Sequence, residues 1–231
     1  MALASPPKLQ TATEFAYDSI KQWIIKGEIA PDTRINLDEL AASLQMSRVP
    51  VRGALDRLCA ENLVVDIPRR GMIVKPLSVE HLESVFMMRV SLEAIAIVKA
   101  IENATEHDIE SLHDMLDSQE FKADDIDNTM QSNKQFHSAI FALSGDETLC
   151  NVLENLWAQS NRYRYIFYRQ IELNERIVTE HYRLLQCIRD RNKQLAVDTL
   201  MAHTWKSYET LVQLLGGVPA RIKVRPMAVG D

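Results

Sequence analysis

The 231-residue sequence contains little glycine, little proline and very little cysteine, with 7, 8 and 3 residues respectively. So few glycines and prolines argue against a collagen-like or low-complexity chain and against an all-β chain with many turns. The three cysteines are odd in number, far apart and in no Cys-x-x-Cys spacing, which argues against a disulfide framework. No apolar run approaches the roughly 18–20 residues that cross a bilayer, and the first residues lack the apolar core of a signal peptide. We therefore expect a globular protein of the reducing cytoplasm, with no membrane partner.

Positive charge is in deficit overall, but its distribution is uneven. The chain has 32 acidic and 26 basic residues, a net charge of −6. Residues 1–78 have a net charge of +1 and the rest of the chain −7, and residues 44–75 contain six basic and three acidic side chains. Because attraction to phosphate depends on the local charge, this distribution is compatible with DNA binding.

Residues 1–76 have the pattern of three short helices followed by a hairpin. The first helical pattern stops at Gly27, the second begins after Asn36, and the third begins at Ser47. Segments 63–67 and 72–75 alternate like two short strands around a tight turn. This order predicts a helix-turn-helix domain with a β-hairpin wing.

The third of these helices has an apolar face and a basic flank. Its apolar positions follow the spacing of an inward helix face: Val51, Ala54, Leu55 and Leu58. Arg48 and Arg52 lie outside that face, one turn apart, where they can contact guanine or phosphate. Arg69 and Arg70 occupy the tip of the predicted wing. The alternative is that these arginines are only solvated surface residues.

The rest of the chain, residues 77–231, has a purely helical pattern. Helices are predicted at 79–104, 107–121, 128–144, 146–169, 174–191 and 193–215. No strand pattern appears in this segment, and the tail after residue 217 is expected to be loose. We therefore predict a mainly α protein whose second domain is an all-α antiparallel helical bundle.

Three histidines occupy inward positions on three different predicted helices. His137, His181 and His203 each share a stripe with apolar residues. Imidazoles directed into one bundle can bind a divalent metal, and Asn133, one turn before His137, can add an oxygen ligand. The alternative is that each is a hydrogen-bonded core histidine. The remaining histidines are expected at the surface: His81, His107 and His113.

An arginine also falls on a predicted buried stripe. Arg89 lies between Val85 and Leu92 on the first helix of the bundle, which is unusual for arginine. It has two possible roles: to pair with Glu93 one turn later, or to bind the carboxylate of a small effector. The basic and aromatic residues at 162–165 are expected to form a solvated helix end, with a pocket wall as the alternative.

Residues 24–75 resemble the winged helix of GntR-type bacterial transcription regulators. The matching segments are Gly27–Pro31, Leu40-Ala41, Met46–Leu55, Leu63-Val64 and Arg70-Gly71. The resemblance implies DNA contacts from Ser47, Arg48, Arg52, Arg70 and Gly71, with Arg69 as a further candidate. It also implies a two-fold homodimer on an operator that is a short inverted repeat. Slightly altered turns are expected where the family usually has glycine, at Asp32, Gln45 and Asn62.

Residues 77–215 resemble the FCD ligand-binding domain of the FadR subfamily of these regulators. The matching motifs are Arg89–Glu93, Phe136-His137, Glu180-His181 and His203. The resemblance implies a divalent metal, zinc or nickel, on the three histidines, and an effector that is a small organic or sugar acid. Asn133 stands where many such domains have an aspartate ligand. Since a neutral amide is a poorer ligand, lower metal affinity is expected.

The function predicted from these features is a DNA-binding transcription regulator that responds to a small carboxylate. One alternative is a direct sensor of the metal, and a less favoured one is a metal-dependent hydrolase. Against the hydrolase, no carboxylate is singled out as a general base. Glu180 adjoins His181 in sequence but is directed about 100° away around the helix, so it is not expected to share that face.

Overall fold

The computed structural model describes residues 10–118, 126–166 and 175–218 of the chain. The chain divides into two compact units, residues 1–77 and 78–231. No helix within the described ranges is both long and apolar enough to cross a membrane. The ends of the predicted helices 107–121 and 146–169, and most of the predicted tail, lie outside the described residues.

The first unit consists of three helices and a two-stranded antiparallel sheet. Its elements are α1 (Ala12–Lys26), α2 (Leu37–Ser43), α3 (Arg48–Ala60), β1 (Val64–Ile67) and β2 (Gly71–Val74). Helix α1 begins at a capping box of Thr11 and Glu14. It ends at Gly27, whose φ of 80° is a conformation that glycine adopts without cost. The predicted helix-turn-helix with a hairpin is confirmed.

Helix α3 buries the face that the sequence predicts. Its four inward side chains are at most 2% exposed: Val51, Ala54, Leu55 and Leu58. They pack with apolar residues of α1, including Ile20 and Ile24, in a core of their own. Burying such side chains contributes roughly 1.5–3 kcal/mol each, which fixes α3 on this unit by its apolar face. The opposite face of α3 is left to solvent.

Besides the hairpin tip, three turns of this unit adopt a left-handed backbone at a residue other than glycine. The φ angles are 63° at Asp32, 54° at Gln45 and 59° at Asn62. Left-handed backbone costs a residue other than glycine roughly 1–2 kcal/mol, and asparagine and aspartate tolerate it best. Gln45 forms the turn between α2 and α3, so the helix-turn-helix keeps this backbone at some cost in stability.

The hairpin that follows α3 is short and regular. Val64 pairs with Val74, and Ile67 pairs with Gly71. The turn at its tip has φ of 68° at Arg69 and 77° at Gly71. A further bridge pairs Arg34 with Ile73, so the segment before α2 lies beside β2.

The second unit is all-helical within the described residues, as the sequence predicts. Its helices are α4 (Val79–Asn103), α5 (Glu106–Asp117), α6 (Ile126–Ala142), α7 (Glu147–Ile166), α8 (Glu175–Arg189) and α9 (Lys193–Leu214). The long helix α4 packs against α6, α7, α8 and α9, and α5 packs against α6 and α8. Side chains such as Ile97, Phe136 and Ile188 fill the core between these helices. Polar residues of α6, α7, α8 and α9 are therefore brought together around α4.

Candidate DNA-binding surface and metal site

The N-terminal end of α3 is exposed and positively charged. Ser47 is the N-cap residue, but its side chain forms no capping hydrogen bond. Arg48 and Arg52 are exposed, as is Val49 at 80%. Arg48 forms an ion pair with Asp38 of α2, in which both side chains are more than half exposed, so the pair is worth little and is readily exchanged. The free N–H groups and positive end of the helix dipole favour phosphate at this end.

The hairpin tip presents two further cations. Arg69 and Arg70 are exposed, and Gly71 is half-buried at the start of β2. The DNA-contact residues predicted from the sequence thus lie on two elements of the same unit, α3 and the hairpin. All of the predicted arginines have side chains accessible to a ligand.

The second unit brings together the three histidines predicted as ligands. His137 on α6, His181 on α8 and His203 on α9 each offer one ring nitrogen, and these nitrogens lie within 4.8 Å of one another. The ring centres are 4.9 Å apart for His137 and His181, 5.3 Å for His137 and His203, and 4.9 Å for His181 and His203. Three helices therefore place three imidazoles around one point.

The donor set fits a divalent metal. The Nε2 atoms of His137 and His181 are 3.0 Å apart. Two imidazole nitrogens on one zinc ion lie about 3.3 Å apart at the tetrahedral angle, given zinc–nitrogen distances of 2.0–2.1 Å. Asn133, one turn before His137, is 2% exposed, and its side-chain oxygen has no hydrogen-bond partner among the described residues. A buried amide oxygen without a hydrogen-bond partner is suited to act as an additional metal ligand. The same 3.0 Å distance also fits a hydrogen bond between the two rings.

Glu180 contacts the third histidine of the cluster. Its carboxylate Oε2 accepts a hydrogen bond from Nδ1 of His203 at 2.7 Å. This contact holds the imidazole with Nδ1 protonated and leaves Nε2 free to bind a metal, as carboxylates behind metal-bound histidines do. The sequence separated Glu180 from the face of His181 and gave it no role at the cluster, because its partner His203 lies on another helix, α9.

Arg89 pairs with Glu93 in the buried interior. Its Nε donates to the Glu93 carboxylate at 2.9 Å, and its Nη1 donates to Ser160 at 2.9 Å. Glu93 also accepts hydrogen bonds from Trp157 at 2.8 Å and Thr204 at 2.9 Å. These contacts join α4, α7 and α9. The first of the two roles predicted for Arg89, pairing with Glu93, is present in the structure.

The residues at 162–165 are not a solvated helix end, so that expectation is wrong. Arg162 and Tyr163 are fully buried and Arg164 is 7% exposed, while Tyr165 is half-buried. Charged residues near a helix end suggested solvent, but the packing of α7 against α4 encloses them. Burial lowers the pKa of Arg164 to about 10, and the nearby charge of Arg89 acts in the same direction. Arg164 therefore remains a cation at neutral pH.

His81 is half-buried, whereas the sequence placed it at the surface. Its Nδ1 lies 2.8 Å from the hydroxyl of Tyr163, and its Nε2 lies 3.0 Å from Oε1 of Gln159. The Tyr163 hydroxyl also donates to the carbonyl of Ser78 at 3.3 Å. Helix α7 is thereby joined to the first turn of α4. His107 is exposed, as expected.

Burial and neighbouring charges favour the neutral form of two histidines of the cluster, His137 and His181. Burial lowers the pKa of His137 well below its usual value, and the nearby His181, His203 and Arg164 lower it further. Burial likewise lowers the pKa of His181, with additional effects from His203 and Arg164. Neutral imidazoles are the form that binds metals. The buried cation Arg164 lies close enough to act on both rings, a relation that no sequence spacing indicated.

Comparison with known families supports this organisation. Residues 12–74 match the family model described as bacterial regulatory proteins, gntR family, and residues 84–204 match the FCD domain. The chain is 27% identical over 202 residues to the uncharacterized HTH-type transcriptional regulator YdhC of Bacillus subtilis, covering 86% of this chain and 90% of that protein. It is 29% identical over 182 residues to the HTH-type transcriptional regulator McbR of Escherichia coli, covering 77% and 82%.

Solved structures share the fold. The E. coli McbR/YncC structure has a TM-score of 0.78 at 24% identity and covers 90% of this chain and 100% of that one. A putative GntR regulator from Rhodococcus sp. RHA1 has a TM-score of 0.72 at 19% identity and covers 90% and 99%. The matching families and relatives are transcription regulators and not enzymes. The chain belongs to the GntR family of bacterial regulatory proteins, with an FCD domain as its helical second unit.

Proposed function

We propose that this GntR-family regulator controls operator binding through a small carboxylate effector held beside a divalent metal in the FCD unit. The observation that supports this is the convergence of His137, His181 and His203 from three helices, with ring nitrogens within 4.8 Å of one another. We further infer that it acts in the cytoplasm and belongs to the FadR subfamily.

The three imidazoles would hold the metal, zinc or nickel, with Asn133 as a weak fourth ligand. A bound divalent cation supplies a Lewis-acidic centre whose open positions accept water or a carboxylate oxygen. Glu180 orients His203, and the burial of His137 and His181 keeps them unprotonated.

Arg89 is a second contact for the effector carboxylate in this proposal. Its guanidinium lies 4.2 Å from the ring centre of Trp157, whose indole is 4.8 Å from the ring of His137. Glu93 and Ser160 fix the orientation of the guanidinium. Arg89 is therefore held next to the histidine cluster in a single orientation.

In the DNA-binding unit, α3 would act as the recognition helix and the β1–β2 hairpin as the wing. Ser47, Arg48 and Arg52 would contact DNA at the start of α3. At the hairpin tip the contacts would come from Arg69, Arg70 and the backbone of Gly71. All four arginines are exposed, so none of them needs a rearrangement of the core to reach a phosphate or a base edge.

Metal analysis of protein purified without chelators tests the metal site. We expect about one divalent ion per chain. His137→Ala should lower this content and blunt the response to carboxylates while leaving DNA affinity intact, because α3 belongs to the other unit. His113→Ala, at a histidine of α5 that contacts Asp117 and Tyr182, is the matched control. If the wild-type protein contains no metal, and His137→Ala responds to carboxylates as the wild type does, then His137 and His181 are only a hydrogen-bonded pair.

The same measurements separate the effector-responsive regulator from a direct metal sensor. If release from DNA follows metal addition or chelation alone, the metal itself is the signal. A requirement for an organic acid in the presence of metal supports regulation by a carboxylate effector.

A further inference from the structure

We propose that Asp38 of α2 makes DNA binding sequence-selective, because it keeps the guanidinium of Arg48 for base edges and away from backbone phosphates. This inference rests on the function proposed above, since it takes the start of α3 as the surface that contacts DNA. It adds a residue of α2 to that surface and assigns different contacts to Arg48 and Arg52.

The two exposed arginines of α3 have different surroundings. Nε of Arg48 forms an ion pair with Oδ1 of Asp38, and the two side chains are 69% and 60% exposed. Arg52 is exposed one turn later, and within residues 10–118, 126–166 and 175–218 no ion pair or hydrogen bond of its side chain is found. Arg52 therefore presents a full positive charge to an approaching ligand, whereas the charge of Arg48 is offset locally by a carboxylate.

The carboxylate of Asp38 weakens the attraction of Arg48 for phosphate but not for a base edge. A phosphate that approaches Arg48 also meets the negative charge of Asp38, and like charges repel. The guanine edge in the major groove is neutral and offers two acceptors, O6 and N7. Because Arg48 contacts Asp38 through Nε, its terminal nitrogens Nη1 and Nη2 can donate to these acceptors with the ion pair intact.

The neighbours of Arg48 at the start of α3 support this division of contacts. The side chain of Ser47 forms no capping hydrogen bond, and the first N–H groups of a helix are suited to phosphate. Val49 is apolar and 80% exposed. An aliphatic side chain forms no polar contact with a phosphate, but it can contact the methyl group of thymine. Arg48 and Val49 are therefore suited to base edges, and the phosphate contacts fall to the residues on either side.

The salt dependence of binding to two duplexes tests this proposal. One duplex is an operator selected from a random pool by the wild-type full chain, and the other has the same composition in scrambled order. In Asp38→Asn, Arg48 is released to contact one phosphate of the scrambled duplex. We expect the affinity for this duplex to rise roughly threefold at about 0.1 M salt, and the slope of log affinity against log salt to steepen by about 0.9. The affinity for the operator should change less, so the ratio of the two affinities falls.

Three further variants assign the effect to the pair of Asp38 and Arg48. Glu39→Gln removes the same charge from the adjacent exposed position of α2, where Glu39 accepts a hydrogen bond from Asn36 at 2.8 Å, and should leave the slope and the ratio near those of the wild type. Asp38→Glu keeps the charge and should keep the wild-type slope. In an Arg48→Ala background, Asp38→Asn should not steepen the slope further. A slope that changes equally in Asp38→Asn and Glu39→Gln, or that still steepens without Arg48, would overturn the assignment.

A purely structural role of Asp38 gives the opposite result. Asp38 lies in the first turn of α2, where a negative charge stabilises the helix. Loss of this effect alone would lower the melting temperature of Asp38→Asn and leave binding to the scrambled duplex unchanged or weaker. The proposal requires tighter binding to that duplex.

Failure of this inference is distinguishable from failure of the proposed function. If the double variant of Arg48→Ala and Arg52→Ala binds the operator as the wild type does, α3 is not the recognition helix, and the proposed DNA contacts fail together with this inference. If the double variant binds weakly but Asp38→Asn changes neither the salt slope nor the ratio of affinities, only the inference about Asp38 is overturned.

Discussion

The buried imidazoles of His137 and His181 link the metal site to the stability of the fold. Each is 1% exposed, and burial, the largest cause, lowers the pKa of each below its ordinary value. In the unfolded chain both rings take up protons below about pH 6.5, whereas in the folded chain they stay neutral to lower pH. The unfolded state therefore binds more protons in this window, and acid favours unfolding.

The stability of the metal-free protein is predicted to fall as the pH drops below about 6.5. Each of the two histidines contributes a slope of up to about 1.4 kcal/mol per pH unit, down to its folded-state pKa. Urea unfolding titrations at pH values from about 7.5 to about 5.5 measure this dependence of the free energy of unfolding on pH. His137→Asn should remove a large part of the slope, and His107→Gln, at an exposed histidine, should leave it unchanged. A wild-type slope in His137→Asn would contradict the assignment.

At the scale of the element, the two faces of α3 have different roles. The apolar face stabilises the unit, and the exposed face carries the arginines predicted to contact DNA. Val51 and Leu58 are fully buried against α1, whereas Arg48 and Arg52 on the other side are exposed. A substitution on the outer side removes no core contact, since the helix is held by its apolar face. Effects on DNA binding can thus be measured without unfolding the unit.

Arg48→Ala and Arg52→Ala are each predicted to weaken operator binding while leaving the thermal melting of the protein unchanged. If the arginine contacts a base edge, its loss costs roughly 1–3 kcal/mol and relaxes the preference at one base pair. Fluorescence anisotropy with an operator duplex at fixed salt measures the effect. Arg183→Ala, an exposed arginine of α8, is the control. Unchanged affinity in the double variant would exclude α3 as the recognition helix.

The helices and strands of both units could be predicted from the sequence, because the side chains that determine each element are near one another in the sequence. The inward face of α3 and the apolar stripe around His137 follow from helical spacing alone. The contact of Glu180 with His203 and the burial of Arg164 could not be assigned, because both depend on how the helices pack against one another. Charge near a helix end wrongly suggested solvent at Arg164, where the packing of α7 gives burial.

At the scale of the whole molecule, the charge is divided between the units. Residues 1–78 have a net charge of +1, while the remainder has −7. The acidic remainder is repelled by DNA, and the attraction comes from the few exposed arginines of α3 and the hairpin. One copy of α3 can contact one stretch of the major groove. A second chain would supply a second copy of α3 and so extend the contact with DNA to another stretch of groove.

The protein is predicted to bind DNA as a two-fold dimer on an inverted repeat. Two copies of α3 related by a two-fold axis require half-sites about one helical turn, or a multiple of it, apart. Sedimentation should show a dimer at working concentration, and footprinting should show two equivalent protected half-sites. A duplex with one half-site scrambled is the control and should bind markedly more weakly. A monomer protecting a single asymmetric site would contradict the prediction.

The hydrogen bonds between Tyr163 and Ser78 have a consequence for synthesis on the ribosome. The two residues are 85 positions apart, and Thr204 and Glu93 are 111 positions apart. At about 5–20 residues per second, α4 emerges roughly 4–17 s before α7 can join its first turn, and it waits longer for α9. The first unit has its core within residues 1–77 and can fold during this delay. The nascent chain thus passes through a stage with a finished DNA-binding unit and an apolar α4 still open to chaperones.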